Sequence, residues 1–126
     1  MRPHNFLRCD HGGAAIEMAV LFPIFLLLTT GGYDLGVETF SMMAVSNAVQ
    51  AGAAYGVMNP ADAVSGGSGI SVAMNAASGG LIINASATLV NGVLTITGTY
   101  NYPPVTLMPW SANPTTLTST AIVRIE

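Results

Sequence analysis

The sequence predicts an α+β fold in which a long N-terminal helix packs on a small antiparallel sheet of three to four strands. Three observations carry this prediction. Residues 12–32 form an almost uncharged apolar run, residues 33–55 continue with helical spacing, and the residues on either side of Asn91-Gly92 alternate between apolar and polar. A switch from a period of about 3.6 to a period of 2 is the expected signature of a helix followed by strands.

The apolar run is long enough to cross a membrane. The nineteen residues from 14 to 32 carry a single charge, that of Glu17. As a helix they rise about 28 Å, close to the roughly 30 Å hydrocarbon core of a bilayer. Arg2 and Arg8 precede the run, and this positive-inside bias predicts a cytoplasmic N-terminus and an exported C-terminus. Since the run exceeds the usual apolar core of a secretory signal, we expect it to stay as an anchor.

The charged residues are few and argue against several classes of function. Three basic and six acidic residues leave no basic patch, so we expect no binding to nucleic acid. One cysteine, Cys9, excludes an intramolecular disulfide and a cysteine-based metal site. The two histidines, His4 and His11, precede the apolar run, so the exported part lacks the parts for Cys–His, Ser–His–Asp or metal chemistry. The sequence therefore predicts neither an enzyme nor a cofactor-binding protein.

The helix is expected to continue beyond the membrane as residues 34–58. Asp34, Glu38 and Ser41 share one face, which we expect to be solvated. Another stripe steps by three or four residues; it consists of Tyr33, Val37, Phe40, Ala44, Ala48, Ala51 and Tyr55. Small residues toward the end of this stripe permit close approach of a second backbone, either the sheet of the same chain or another helix.

The remaining residues, 59–126, predict a small β-rich domain. Asn59-Pro60 should end the long helix. Asn-Gly between two alternating runs is the strongest short-range hairpin signal. Three strands can bury one face of a sheet on the preceding helix. The predicted elements are a connector over 65–69, a short helix over 70–77, a hairpin about Asn91-Gly92 and a last strand over 117–125.

Glu17 has two interpretations. An acidic residue inside a membrane helix costs free energy, less near the interface than at the centre. One interpretation is a carboxylate at the level of the lipid headgroups, stabilised by the positive end of the helix dipole. The other is a carboxylate that pairs with a cation inside an assembly of such helices.

Trp110 is the one candidate for an exposed aromatic binding residue in the exported part, because it lies on a proline-rich loop. The alternative is that its ring packs on the sheet and anchors the loop.

The N-terminal residues resemble a known pattern. A short basic leader, a glycine, four small or apolar residues, a glutamate and a long apolar helix are typical of the type IV pilin-like N-terminus with its class III signal. More narrowly, GGAAIEMAVLFPIFLLL resembles the TadE-like minor pseudopilins of tight-adherence (Tad) pili. The resemblance implies cleavage between Gly12 and Gly13, which makes Glu17 the fifth residue of the mature chain. Met18 departs from the pattern, because these proteins often carry an aromatic residue there.

The resemblance continues along the chain. Asp34-Leu35-Gly36 is similar to an acidic-x-Gly pair of the family, and NAVQAGA at 47–53 is similar to its small-residue run. Residues 96–126 resemble the family's usual ending, with an aromatic strand, prolines, a loop and a terminal strand that finishes in Arg-x-Glu. Val37 stands where relatives often have an arginine, so a salt bridge from that arginine is missing here.

The resemblance implies a pilin-like fold and a minor pseudopilin that acts in Tad pilus assembly, surface adhesion and biofilm formation. Glu17 is then expected to pair with the α-amino group that cleavage creates on Gly13, and to set axial register between subunits. The implied partners are the prepilin peptidase, other pilin and pseudopilin subunits, the inner-membrane assembly platform and the lipid bilayer. The implied location is the bacterial inner membrane with a periplasmic C-terminal domain, and the assembled extracellular pilus. The implied segments are a cytoplasmic leader (1–12), a transmembrane helix (13–33), its aqueous continuation (34–58) and an exported domain (59–126).

Two other interpretations stay open. One is a pilus-tip or membrane-anchored binding module whose sheet and Trp110 loop contact a surface or a partner pilin. The other is a single-pass membrane protein unrelated to pili, which would keep its leader.

Overall fold

A helix of 47 residues, α1, begins the fold and spans Gly12–Met58. The computed structural model describes residues 12–65, 67–103 and 114–125. The chain divides into two compact units, Met1–Tyr33 and Asp34–Glu126. The elements that follow α1 are the helices α2 (Pro60–Val64) and α3 (Ser68–Ala77) and the strands β1 (Asn84–Val90), β2 (Val93–Tyr102) and β3 (Thr115–Arg124).

The described part of the first unit is helical, and its apolar side chains are exposed. The large ones from Ile16 to Leu28 are 45–72% exposed. By length and composition α1 is able to cross a membrane, and no residue of its most apolar window is buried among the described residues. A side-chain surface of this kind suits lipid rather than water as its solvent.

The three strands form one antiparallel sheet in the order β1-β2-β3. The hairpin between β1 and β2 closes at Asn91 and Gly92, whose φ angles are 51° and 74°. Both angles lie in the left-handed region that a two-residue hairpin turn requires, and Asn and Gly are the residues that adopt it at least cost. The structure therefore confirms the hairpin, and with it the predicted α+β fold of a long helix packed on a sheet, here of three strands.

The core of the second unit lies between the helices and one face of the sheet. Alternate residues of β2 point into it, because successive side chains of a strand face opposite sides. In the resulting register, residues of β2 pair with β1 on one side and with β3 on the other. The fully packed core residues are Val45, Ala48, Val49 and Ala53 of α1, Ile70 and Met74 of α3, Ile83 before β1, and Leu94 and Ile96 of β2.

Glycines on α1 allow this close packing. A Cβ built on Gly52 would lie 2.5 Å from Met74 Cγ, and one on Gly56 would lie 2.5 Å from Leu94 Cδ2. Since real Cβ atoms essentially never come so close, no other residue fits at these positions without a shift of its neighbours. The predicted close approach at the small-residue end of α1 is confirmed, with α3 and β2 as the elements that approach.

The predicted buried face of α1 is wrong by about one residue position. Phe40 belongs to the predicted stripe but is 63% exposed, whereas Ser41, assigned to the solvated face, is 3% exposed. Ala44 and Ala48 are buried as predicted, together with Val45 and Val49. The sheet and α3 lie against a side of α1 where alanines and glycines allow close approach, and the large aromatic ring of Phe40 is left outside.

The connector between α1 and the sheet is more helical than predicted. α2 starts at Pro60, which acts as the first residue of a new helix and not only as the end of α1. α3 begins at Ser68, so Ser68 and Gly69 belong to a helix although 65–69 was predicted as a connector. Ile70 and Met74 are buried, which confirms the apolar side predicted for this short helix.

Candidate functional site

The first turns of α1 hold the residues that the resemblance identifies as a processing and assembly site. Gly12 is the first residue of the helix, and a Cβ on Gly13 would meet nothing within 4 Å. Gly13 and Glu17 are four residues apart, so they lie on the same face about 6 Å apart along the axis. The Glu17 side chain is exposed. The structure therefore places the predicted new N-terminal residue and the carboxylate together on one open face.

Residues 1–11 lie outside the described residues, and the cut between Gly12 and Gly13 stays a prediction. The same holds for the pairing of the Gly13 amine with Glu17, since that amine exists only after cleavage. Cys9, His4 and His11 also fall in this part of the chain.

The polar side chains near the end of the apolar run are satisfied within α1. The Thr29 hydroxyl donates to Phe25 O and the Thr30 hydroxyl donates to Leu26 O, both at 2.8 Å. In hydrocarbon an unsatisfied hydroxyl would cost several kcal/mol, and these bonds to the preceding turn remove that cost. Both threonines are thus compatible with a membrane environment.

In the second unit, the end of β2 is tied to the start of its helical part. The Tyr102 hydroxyl donates to Asp34 O at 3.4 Å and to Asp34 Oδ1 at 3.5 Å. These are long hydrogen bonds and individually weak, but Tyr102 is only 4% exposed, so water competes little for them. The contact gives Asp34 of the acidic-x-Gly pair a structural partner 68 residues away, which the sequence does not reveal.

A second carboxylate that the sequence does not mark, Asp62, organises the start of α3. Its Oδ2 accepts from the Ile70 backbone N–H at 3.0 Å, and its Oδ1 accepts from the Ser68 hydroxyl at 3.3 Å. Asp62 therefore satisfies a free donor of the helix N-terminus from outside the helix. Its role is structural.

No catalytic or metal-binding constellation is found in the part of the chain that the structure describes. There, no three His, Cys, Asp or Glu side chains come close enough to hold a metal ion. No buried side-chain nitrogen or oxygen in that part is without a hydrogen-bond partner. Trp110 belongs to the segment 104–113, outside the described residues, so its binding role stays a prediction.

Together these features define a class of protein: an α+β domain that continues from a helix able to span a membrane, with a carboxylate near the helix start. Residues 12–54 match the family of TadE-like proteins. The match begins with the first residue of α1 and covers most of that helix, and it agrees with the resemblance to TadE-like proteins that the sequence shows. No curated protein and no solved structure matches the chain.

Proposed function

We propose that this protein is a minor pseudopilin that takes part in assembly of a Tad-type pilus and thereby supports surface adhesion and biofilm formation. The observation that carries the proposal is the coincidence of the family match with α1. The matched residues 12–54 include the glycine pair at 12–13, Glu17 and the helical part that packs on the sheet. The proposed function therefore resides in the helix, and the sheet supports its exported half.

The anchor and the assembly contact are two roles of the same helix. The exposed apolar side chains of the first unit face lipid in the membrane and other α1 helices in an assembly. Cleavage before Gly13 creates a positive charge on the face that carries Glu17. In a medium of low dielectric an unpaired charge is costly, so Glu17 pairs with this amine in its own chain or in a neighbouring subunit. The second arrangement fixes how far one helix is shifted along the next.

The proposed partners follow from this mechanism. A prepilin peptidase removes the leader on the cytoplasmic side, the inner-membrane assembly platform receives the processed chain, and other pilins and pseudopilins contact its helix. The protein resides in the bacterial inner membrane with its C-terminal domain in the periplasm, and passes from there into the pilus. Its role is structural and not enzymatic.

Mass spectrometry of the mature N-terminus tests the proposal. The intact chain is isolated from cells that contain the prepilin peptidase and, as a control, from matched cells that lack it. We expect a mature chain that begins at Gly13 in the first cells and at the initiator end in the second. An unprocessed N-terminus in peptidase-containing cells would contradict the proposal and favour a single-pass membrane protein unrelated to pili.

A further inference from the structure

β3 is an edge strand whose outer side is open in the described part of the chain. It bonds to β2 along its whole length of ten residues, and no described strand pairs with its other side. Edge strands are usually protected by shortness, proline, charged side chains or a covering element. The strand Thr115–Arg124 contains no proline and a single charge at its end, Arg124. At the opposite edge of the sheet, by contrast, α2 and α3 contact β1.

A groove of about 400 Å³ lies beside this open edge, between β3 and α1. Met42 and Met43 line it from the helix, and Thr118 and Ser119 line it from the strand. The two methionines are 54% and 61% exposed although they are large apolar side chains. The groove lies where a fourth strand, added next to β3, would place its inward-facing side chains.

Glu38 gives the groove a charge. Its side chain lines the groove and is half-buried, and no described residue forms an ion pair with it. Arg124, the one basic residue in the described ranges, pairs in register with Val93 at the other end of the strand. A ligand that fills the groove is therefore favoured when it brings a basic side chain to Glu38.

We propose that the β3 edge binds an extended strand of a partner protein, with apolar side chains at alternate positions and a basic side chain opposite Glu38. The N–H and C=O groups of the edge that no described strand pairs with bond to the backbone of the added strand, and Met42 and Met43 receive its apolar side chains. Methionine suits such a surface because its flexible, polarizable side chain adapts to different partners.

Antiparallel pairing with the β3 strand of a second copy of this chain does not fit. The start of β3 lies near the earlier part of α1, because Thr115 is paired with Tyr102, which contacts Asp34. The end of β3 lies near the later part of α1, because Val123 is paired with Leu94, which lies against Gly56. β3 therefore runs in the same direction as α1. Antiparallel pairing of two β3 strands with both helices on one side of the sheet would point the two α1 helices in opposite directions. On the proposed function, all copies enter one membrane in the same direction, which excludes this pairing.

Two synthetic peptides test the proposal on the full-length protein in detergent micelles. Both carry the sequence of β2, Val93–Tyr102, which already pairs with β3 inside the fold; one has Gly98→Lys and the other Gly98→Glu. Inside the fold, Gly98 of β2 lies opposite Ser119 of β3. If the peptide pairs with the outer edge of β3 in the same register, its residue 98 again lies opposite Ser119, which lines the groove together with Glu38. Fluorescence anisotropy of the labelled peptides gives the affinities.

We expect saturable binding of the lysine peptide, several-fold weaker binding of the glutamate peptide, and loss of this difference in Glu38→Gln. Met43→Asp should weaken the binding of both peptides, whereas the matched control Val72→Asp, at an exposed position of α3, should not. Circular dichroism verifies that each variant is folded. Absence of saturable binding, or equal affinities for the two peptides in the wild-type protein, would overturn the proposal.

Backbone amide exchange over Thr115–Arg124 gives a second measurement. The outer amides of β3 should exchange rapidly in the free full-length protein and slow down when the lysine peptide is bound. Protection that is already complete in the free protein would show that the chain covers its own edge, and would overturn the proposal. Neither measurement requires processing or pili, so a failure here is distinct from a failure of the proposed function.

Discussion

Gly52 is, with Gly56, one of two positions at which the packing of α1 is sensitive to one added methyl group. In Gly52→Ala the new Cβ would meet Met74 Cγ at 2.5 Å and Met74 Sδ at 3.0 Å. Overpacking of this kind typically costs 1–3 kcal/mol, which exceeds the gain of about 1 kcal/mol in helix propensity. We expect a net loss of stability, measured as a lower midpoint in thermal unfolding followed by circular dichroism.

Gly36→Ala is the matched control, because a Cβ at Gly36 meets nothing within 4 Å. It changes the same helix by the same atom and should raise stability by about 0.5–1 kcal/mol through helix propensity alone. Equal effects of the two substitutions would show that the Gly52 contact does not limit packing.

Glu17 is the residue on which the proposed assembly mechanism depends. Glu17→Gln removes the negative charge and keeps the size, so insertion of the helix should be unchanged or easier. The amine of Gly13 would then lack its partner, and incorporation into pili should be lost. Membrane fractionation and immunoblots of sheared pili measure the two steps. Met18→Leu, one position along, keeps all charges and should assemble normally; normal assembly of Glu17→Gln would refute the pairing.

Residue contacts that join distant parts of the chain were not predictable from the sequence. In the sequence, Asp62 is one of six acidic residues, and only the fold brings its carboxylate oxygens to the Ser68 hydroxyl and the Ile70 backbone N–H. The sequence predicts a solvated face for Asp34, yet the hydroxyl of Tyr102, 68 residues further along the chain, donates a hydrogen bond to it. Periodicity describes neighbours along one element, and such contacts depend on how different elements meet.

At the level of elements, the hairpin turn is the part that its local sequence determines most strongly. Gly92 has a φ of 74°, and its carbonyl accepts from the Ile125 N–H at 2.7 Å. In Gly92→Ala the left-handed conformation costs about 1–2 kcal/mol, and the Cβ would also lie 3.1 Å from Ile125 O. We expect a clear loss of stability in urea unfolding.

Gly79→Ala separates these two causes. Gly79 also has a left-handed φ, 66°, but a Cβ there meets nothing within 4 Å. Gly79→Ala should lower stability only through the cost of the left-handed backbone conformation, so Gly92→Ala should be the more destabilising substitution. The reverse order would contradict the role of the Gly92–Ile125 contact in holding the end of β3.

The strands were predictable and the buried face of α1 was not, for one physical reason. In the strands, burial follows hydrophobicity, so the alternation around Leu94 and Ile96 identifies the inner face. In α1, the buried face combines valines with small residues such as Ala48 and Gly52, so its position depends on how closely α3 and the sheet approach the helix. Phe40 has a strong hydrophobic signal and is exposed. Helical spacing alone thus misplaces the buried face of a helix that packs partly through small residues.

At the scale of the whole molecule, the candidate site that the sequence predicts is a local motif. Gly12, Gly13 and Glu17 form a short pattern at one helix start, and the family match at residues 12–54 includes it. The groove beside β3 was not predictable, because Met42 and Thr118 come from elements that are joined only by the tertiary fold.

The separation of the chain into two units predicts that Asp34–Glu126 folds alone. Among the described residues, the nine of the core cluster lie between Val45 and Ile96, so removal of residues 1–33 takes away none of them. The most apolar window of α1 has no buried residue in the described part of the chain. The fragment should therefore unfold cooperatively in urea with a midpoint close to that of the full chain in the same detergent, as judged by circular dichroism. Gly52→Ala in the fragment should lower the midpoint as it does in the full chain, since Met74 is retained. A fragment without a cooperative transition would show that the first unit is needed for the second to fold, and the function would then depend on the helix as one continuous structural element.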